Sequence, residues 1–402
     1  MKKEENKVED MIKKRMFNLG ARDRKKRVLE LASIGKTGLS LNGDEWDRDP
    51  WSLPCVNGVI NLKDGSISPG RPEQYFKTVC PTPYDPNIPQ SEVFVNFLNQ
   101  VQDGNQENVE YLLQLLGSSL IGEVRDRVLP IFYGPHGFNG KGTLLKVLTQ
   151  ILGPFAGPVS SELLLDQKFN KPAGSATPEI MWLRGKRFVW ASETSQGRRF
   201  NPGIVKRLIG GEQFVGRDLY GKHEVEFMPS HTLILMTNYK PHAPADDDSF
   251  FDKVHLLEFP VSFVDRPNPS RGYQKKADPD MDKVLLSEKQ GILRALVLAC
   301  IEYQKVGYLK PPQSVLDQTS QYRKEEDIIG QFVDDCLVQV SGAKLRAREA
   351  FKTFEKWCSK TGHNAGTETE LGKSLGKRFK RDRDNKGNYY KDAGLKWPVS
   401  NK

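Results

Sequence analysis

Residues Phe132-Tyr133-Gly134-Pro135-His136-Gly137-Phe138-Asn139-Gly140-Lys141-Gly142-Thr143-Leu144 join a short apolar run, a glycine-rich turn and Gly-Lys-Gly-Thr. These residue types suit a phosphate: glycines let several backbone N–H groups converge on one anion, and a lysine reaches the terminal phosphates. The ligand this implies is a nucleoside triphosphate. Against the pattern Gly-x4-Gly-Lys-[Ser/Thr], Pro135 stands at the first glycine, and Gly142 delays the hydroxyl to Thr143. Gly137, Phe138, Asn139, Gly140, Lys141, Gly142, Thr143 and Leu144 are the expected nucleotide-binding residues. Two further polar groups, Glu193 and Asn238, each end an apolar run.

The elements that must position these groups are a sheet and its helices. The apolar run 128–133 reads as a buried strand, and 143–152 as a helix with Leu144, Val147, Leu148 and Ile151 on one face. Strand–loop–helix places the loop amides at a positive helix N-terminus. Further strands are expected over 187–193, 232–238 and 254–259. Strands separated by helical stretches, with polar residues at their C-terminal ends, predict an α/β sheet whose ligand sits outside those ends. Glu193 and Asn238 would then face the same phosphates as Lys141.

Around this centre, 1–39 predicts one or two charged surface helices, 46–85 a small β-containing module, and 93–122 helices leading into the loop strand. The chain has 402 residues, which predicts two to three domains. It has no apolar run near the roughly 20 residues that cross a bilayer, and its Lys/Glu-rich start lacks a signal peptide's apolar segment. A cytoplasmic protein without membrane contact is expected. Five cysteines, at 55, 80, 300, 336 and 358, show no Cys-x2-Cys spacing and read as reduced residues. The net charge of +9 is concentrated in 341–402, where eleven lysines and five arginines face four glutamates and three aspartates. A basic surplus confined to one small region is the footprint of nucleic-acid binding. From about Glu325 the pattern predicts three helices and a hairpin turn at 385–390, the outline of a winged helix. Arg378, Lys380 and Arg381 are its candidate DNA contacts. A second hairpin is expected at Leu219–Val225, its tip carrying Lys222 and His223.

Taken together, these motifs resemble the phage, plasmid and poxvirus-type primase-associated NTPases of helicase superfamily 3, a branch of the AAA+ ATPases. The resemblance rests on Val56–Leu62, Asn139-Gly140-Lys141-Gly142-Thr143, Gly185–Thr194, Lys206–Glu212, Arg217–Lys222 and Met236-Thr237-Asn238, in that order. It implies an AAA+ P-loop core (106–265) after an N-terminal helical and small β module (1–105), then a helical lid or linker (266–324) and a winged-helix-like domain (325–402). It also implies ATP and Mg2+. Lys141 would bind the β- and γ-phosphates, Thr143 and Glu193 would serve the metal, Glu193 would polarise water and Asn238 would sense the γ-phosphate. Lys222 and His223 would hold a single strand in the channel of a ring, a homo-hexamer, while the C-terminal domain would hold duplex. A primase would be a partner or an upstream part of a longer chain. Where relatives place paired arginines this chain has Asp252-Lys253, so Lys253 is the positional substitute for a finger acting in trans, with Arg217 and Arg207 as alternatives. The implied function is an ATP-dependent DNA helicase of a mobile-element or phage replication system. Two competing readings are a nucleotide kinase, because the loop is one insertion from that of adenylate kinases, and an ATP-switched DNA-binding initiator that does not unwind.

Overall fold

The computed structural model describes residues 2–33, 46–167, 175–192, 197–221 and 223–396, with 2–6 as backbone alone. It divides into two units, Met1–Arg48 with Arg71–Lys77, and Asp49–Gly70 with Thr78–Lys402. The first holds the expected surface helices, Lys2–Gly20 and Arg22–Ser33. The apolar residues whose helical spacing announced them, among them Met11, Met16 and Leu29, are exposed.

The second unit opens with a three-stranded antiparallel meander: β1 (Ser52–Cys55), β2 (Gly58–Asn61) and β3 (Ile67–Ser68). Val56-Asn57 is the two-residue turn between Cys55 and its cross-strand partner Gly58. The central sheet contains β4 (Leu129–Tyr133), β5 (Ala156–Ser160), β6 (Phe188–Ser192), β9 (Thr232–Thr237) and β10 (Val254–Glu258), with the hairpin strands β7 (Phe214–Gly216) and β8 (Val225–Phe227) between. Its order is β10-β4-β9-β6-β5, and every pairing is parallel. Both faces are covered, so the strands read as continuous apolar runs. Alternation still sorts them: Phe132, Phe188, Trp190, Ile234 and Leu257 enter one core, and Ile131, Val189, Ala191, Leu235 and Leu256 enter the other. The first core is closed by helices Gln106–Ser118, Lys141–Leu152 and Lys289–Val306, and the second by Pro202–Ile209 and Gln313–Glu326.

The stretch 266–324, expected as a lid or linker, contributes Leu285, Ile292, Leu296, Cys300 and Tyr303 to the first of these cores. At its start, β11 (Ser262–Val264) and β12 (Gln274–Lys276) form a two-stranded parallel pair beside the glycine-rich loop. The C-terminal region has its own core, centred on Phe332, Phe354, Trp357, Leu375 and Tyr390. Its helices Ile328–Cys336, Ala347–Thr361 and Glu368–Arg378 agree with the three expected. A strand that the pattern did not reveal, β13 (Leu337–Arg346), joins the hairpin β14 (Arg381–Asp384) and β15 (Gly387–Leu395) in the order β13-β15-β14.

Candidate functional site

Because all five strands run the same way, the loop after β4, Ser192 at the end of β6 and Asn238 after β9 emerge at one edge of the sheet. The loop is shaped by what its glycines permit. Gly140 takes φ +80°, and a Cβ there would meet Val101 Cγ1 at 2.6 Å. Gly134 lies against Lys141 Nζ and Asn139 Oδ1, leaving no room for a methyl group. The helix Lys141–Leu152 starts on Gly140 with no side-chain cap, so its first-turn amides remain available to an anion.

Asn139 is almost fully buried and works in two directions. Its Nδ2 donates to the carbonyls of Phe259 and Val261, both at 3.0 Å, while its Oδ1 accepts from Lys141 Nζ at 2.9 Å. Two further bonds fasten the loop to the segment beyond β10. Ser262 Oγ donates to Gly137 O at 2.8 Å, and Phe263 N donates to Phe138 O at 2.9 Å. On the other side Lys141 Nζ donates to Asn238 Oδ1 at 3.1 Å. Asn238 is set by a tight turn in which Thr237 Oγ1 accepts from Tyr239 N at 3.0 Å and donates to Tyr239 O at 2.6 Å. Lys141 is 7% exposed, and burial pushes its ammonium down to about 8. A desolvated cation held by two neutral amide oxygens is a site prepared for an anion.

The cavity in front of this cluster measures about 560 Å³. Thr143, Ser192, Asn238, Lys276 and Asp278 supply polar groups, and Phe97, Phe138, Met236, Phe263 and Met281 supply apolar walls. A lining that mixes charged and polar groups with apolar side chains suits a ligand that carries both phosphates and an aromatic base.

Of the expected nucleotide-binding residues, Phe138, Asn139, Gly140, Lys141, Gly142 and Thr143 line the cavity. Gly137 supports the loop through its carbonyl. Leu144 is fully buried, and its N–H is already given to Gly140 O at 3.0 Å, so it belongs to the helix and core rather than to the ligand surface. Glu193 lies outside the described residues; Ser192 before it lines the cavity. Lys253 precedes β10 and so stands at the opposite edge of the sheet from the loop, about 16 Å of strand away. Its backbone carbonyl accepts from Leu129 N. It does not join the Lys141 cluster of its own chain. Arg207 lies over the Phe214 ring at 5.7 Å, and Arg217 N donates to Thr177 Oγ1 at 3.1 Å.

The second expected hairpin is present as β7 and β8, paired antiparallel. Lys222 lies outside the described residues, and His223 is exposed. In the C-terminal region Lys380 and Arg381 are exposed. Arg378 is already engaged: Nη2 pairs with Asp327 at 2.6 Å and Nη1 donates to Ser374 Oγ at 2.7 Å. Sequence reasoning missed Phe97, Phe263, Lys276, Asp278 and Met281, which arrive from distant elements with no motif of their own.

Two families match the chain: D5 N terminal like over residues 1–103, and Poxvirus D5 protein-like over residues 324–394. A protein of Acanthamoeba polyphaga mimivirus named as a candidate helicase, L207/L206, is 26% identical over 324 residues, covering 77% of this chain and 33% of the relative. A candidate helicase of Frog virus 3, 022R, is 30% identical over 257 residues, or 62% of this chain and 26% of the relative. A candidate primase of African swine fever virus, C962R, is 21% identical over 329 residues, covering 77% of this chain and 33% of the relative. The chain thus spans about a third or less of the length of these curated relatives. In fold it is similar to the apo structure of the NrS-1 C terminal region (305-718), with a TM-score of 0.52 at 17% identity, covering 78% of this chain and 79% of that one. These likenesses support the resemblance to primase-associated, helicase-type NTPases. No helix among the described residues is long and apolar enough to cross a membrane.

Proposed function

We propose that this chain is the motor part of a DNA helicase that serves replication of a mobile element, phage or virus, working in the cytoplasm with ATP as fuel. The observation that carries the reading is Lys141 Nζ held between Asn139 and Asn238 in a glycine-shaped loop at the C-terminal edge of a parallel sheet. Phosphoryl transfer requires mainly positioning and charge neutralisation, which a few fixed groups supply. In this reading Lys141 and the amides of Phe138 to Thr143 bind the β- and γ-phosphates, and Asn238 senses the γ-phosphate. Glu193 polarises the attacking water. Mg2+ would come with the triphosphate and neutralise developing charge, with Thr143 and Glu193 serving it, since Mg2+ takes few protein ligands beside phosphate oxygens.

The core is then an AAA+ superfamily 3 module, and 1–105, 106–265, 266–324 and 325–402 are its working divisions. Protomers form a ring, a homo-hexamer, in which Lys253 completes the neighbour's site. Its position away from its own loop supports a role in trans. As an ammonium it supplies a point charge and no bidentate fork. Lys222 and His223 hold single-stranded DNA in the channel. The C-terminal helices and hairpin act as a winged helix, touching duplex through Lys380 and Arg381. A primase acts alongside or upstream in a longer polypeptide.

The deciding experiment measures DNA-stimulated ATP hydrolysis and forked-duplex unwinding. Lys141→Ala and Glu193→Gln should abolish both. Wild-type turnover in Lys141→Ala would refute the assignment of the site.

A further inference from the structure

We infer that Tyr220, at the tip of the β7–β8 hairpin, is a stacking platform for a nucleobase of single-stranded nucleic acid. This rests on the reading that the hairpin meets a single strand, and adds a site of a different chemical kind to the phosphate contacts expected there.

The base of the hairpin is rigid. Phe214 and Phe227 are buried and meet edge to face at 5.7 Å. Arg217, just past β7, is fastened by its backbone to Thr177, with N–H···O contacts of 3.1 and 2.8 Å. The tip is a four-residue turn, Asp218 to Gly221, closed by Gly221 N donating to Asp218 O at 3.0 Å and braced by Leu219 N donating to Asp218 Oδ1 at 3.0 Å. In this turn Tyr220, the third residue, has φ +64°, while Gly221 beside it is not at positive φ. Turns ordinarily give a left-handed third position to glycine, because a Cβ there is strained.

The strain is not compensated by packing. Tyr220 is 101% exposed and Leu219 is 61% exposed. A bulky residue held in a glycine's conformation, with its ring wholly in solvent, is of no use to the fold of this turn. Backbone strain without a folding return points to use of the side chain.

The ring's surroundings select the ligand. With Leu219 the only other exposed apolar residue on the four-residue turn, the ring offers a small apolar area for a protein partner. A flat exposed ring three residues before a donor for phosphate, the exposed His223, is instead the pairing by which proteins hold a single strand without reading its sequence. The aromatic takes any base face, and the donor takes the backbone.

The test uses the full chain and a single-stranded oligonucleotide carrying 2-aminopurine at successive positions. Binding is read by anisotropy at several salt concentrations, and stacking by quenching of the probe. Tyr220→Gly should keep or slightly raise the melting temperature, lower affinity about tenfold or more and remove the quench at one position, while leaving the salt slope unchanged. Tyr220→Asn, which also tolerates the left-handed backbone, should behave in the same way, and Tyr220→Trp should retain both affinity and quench. His223→Ala should instead reduce the salt slope. Unchanged affinity and quench in Tyr220→Gly would overturn the inference alone and leave the ring to a protein contact. A lower melting temperature in both Gly and Asn variants would overturn it in favour of a structural role. Failure of the unaltered chain to bind single strands would overturn the helicase reading, and this inference with it.

Discussion

Gly134→Ala adds a single methyl group where the structure has no space for one. Gly134 is not at positive φ, so the backbone accepts alanine and the effect is purely steric. The new Cβ would meet Lys141 Nζ, Asn139 Oδ1 and, at 2.6 Å, Asn139 Cγ, inside the 3.0 Å that Cβ atoms keep. Asn139 cannot yield cheaply because its Nδ2 is tied to two buried carbonyls. Lys141, with a flexible stem, must move and the Asn139 amide must shift as well, so the bonds of Lys141 to Asn139 and Asn238 are lost. Hydrogen bonds of charged groups contribute about 1.5–3 kcal/mol each. On the proposed reading, misplacing the Lys141 ammonium should therefore cost about 2–3 kcal/mol of ATP binding, a loss of roughly 30- to 150-fold. The measurement is equilibrium binding of a fluorescent, non-hydrolysable ATP analogue, with a thermal melt as control. The fold should persist, because the collision lies at the edge of the sheet and not in either core. Affinity within twofold of the unaltered chain would refute the steric reasoning, and a collapse of the melt would show that the loop supports the core.

Two buried histidines should govern acid stability. Burial lowers both His231 and His255 to about 4, so the unfolded chain binds more protons between about pH 6.5 and 4. Stability is then fully present above about pH 6.5 and lost as pH falls toward 4, by about 3 kcal/mol per group. Neither ring nitrogen of His231 makes a hydrogen bond of ordinary geometry, and only a weak contact with the Leu208 backbone opposes the effect of burial, so His231→Leu should flatten the acid limb of a urea-denaturation series; an unchanged limb would contradict this. In the C-terminal region, Lys380→Ala should weaken duplex binding and reduce the salt slope by about one. Arg378→Ala, which breaks the contacts to Asp327 and Ser374, should chiefly lower the melting temperature, and the opposite pattern in a paired binding and melting assay would exchange their roles.

Much of the central sheet was legible because burial on both faces leaves uninterrupted apolar runs, and four strands were placed within a residue or two of where they occur. β5 was not, because Gly157 and Pro158 break any pattern; only its position at the sheet edge tolerates the proline. β13 was hidden for another reason: six of its ten residues are exposed, and its pairing with β15 shifts register between Gln339 and Lys344. The candidate site divides in the same way. Lys141, Thr143 and Asn238 announce themselves through a glycine-rich turn or a strand end. Leu144 looked like part of the loop because it follows it, yet one helical step turns it into the core. Arg378 looked like a free cation until Asp327, distant along the chain, was found beside it.

By itself, then, the amino-acid sequence determined a glycine-rich loop between a strand and a helix, an α/β core and a basic C-terminal region. Those properties are written in residue type and short spacing, which local backbone geometry obeys. Only the tertiary structure decided that Asn139 faces both Lys141 and the carbonyls beyond β10, that Phe97 and Met281 wall the cavity, that Lys253 stands away from its own loop, and that Tyr220 occupies a glycine's place. Each depends on residues far apart in the chain meeting in space, or on the sign of one backbone angle, and no local pattern encodes either.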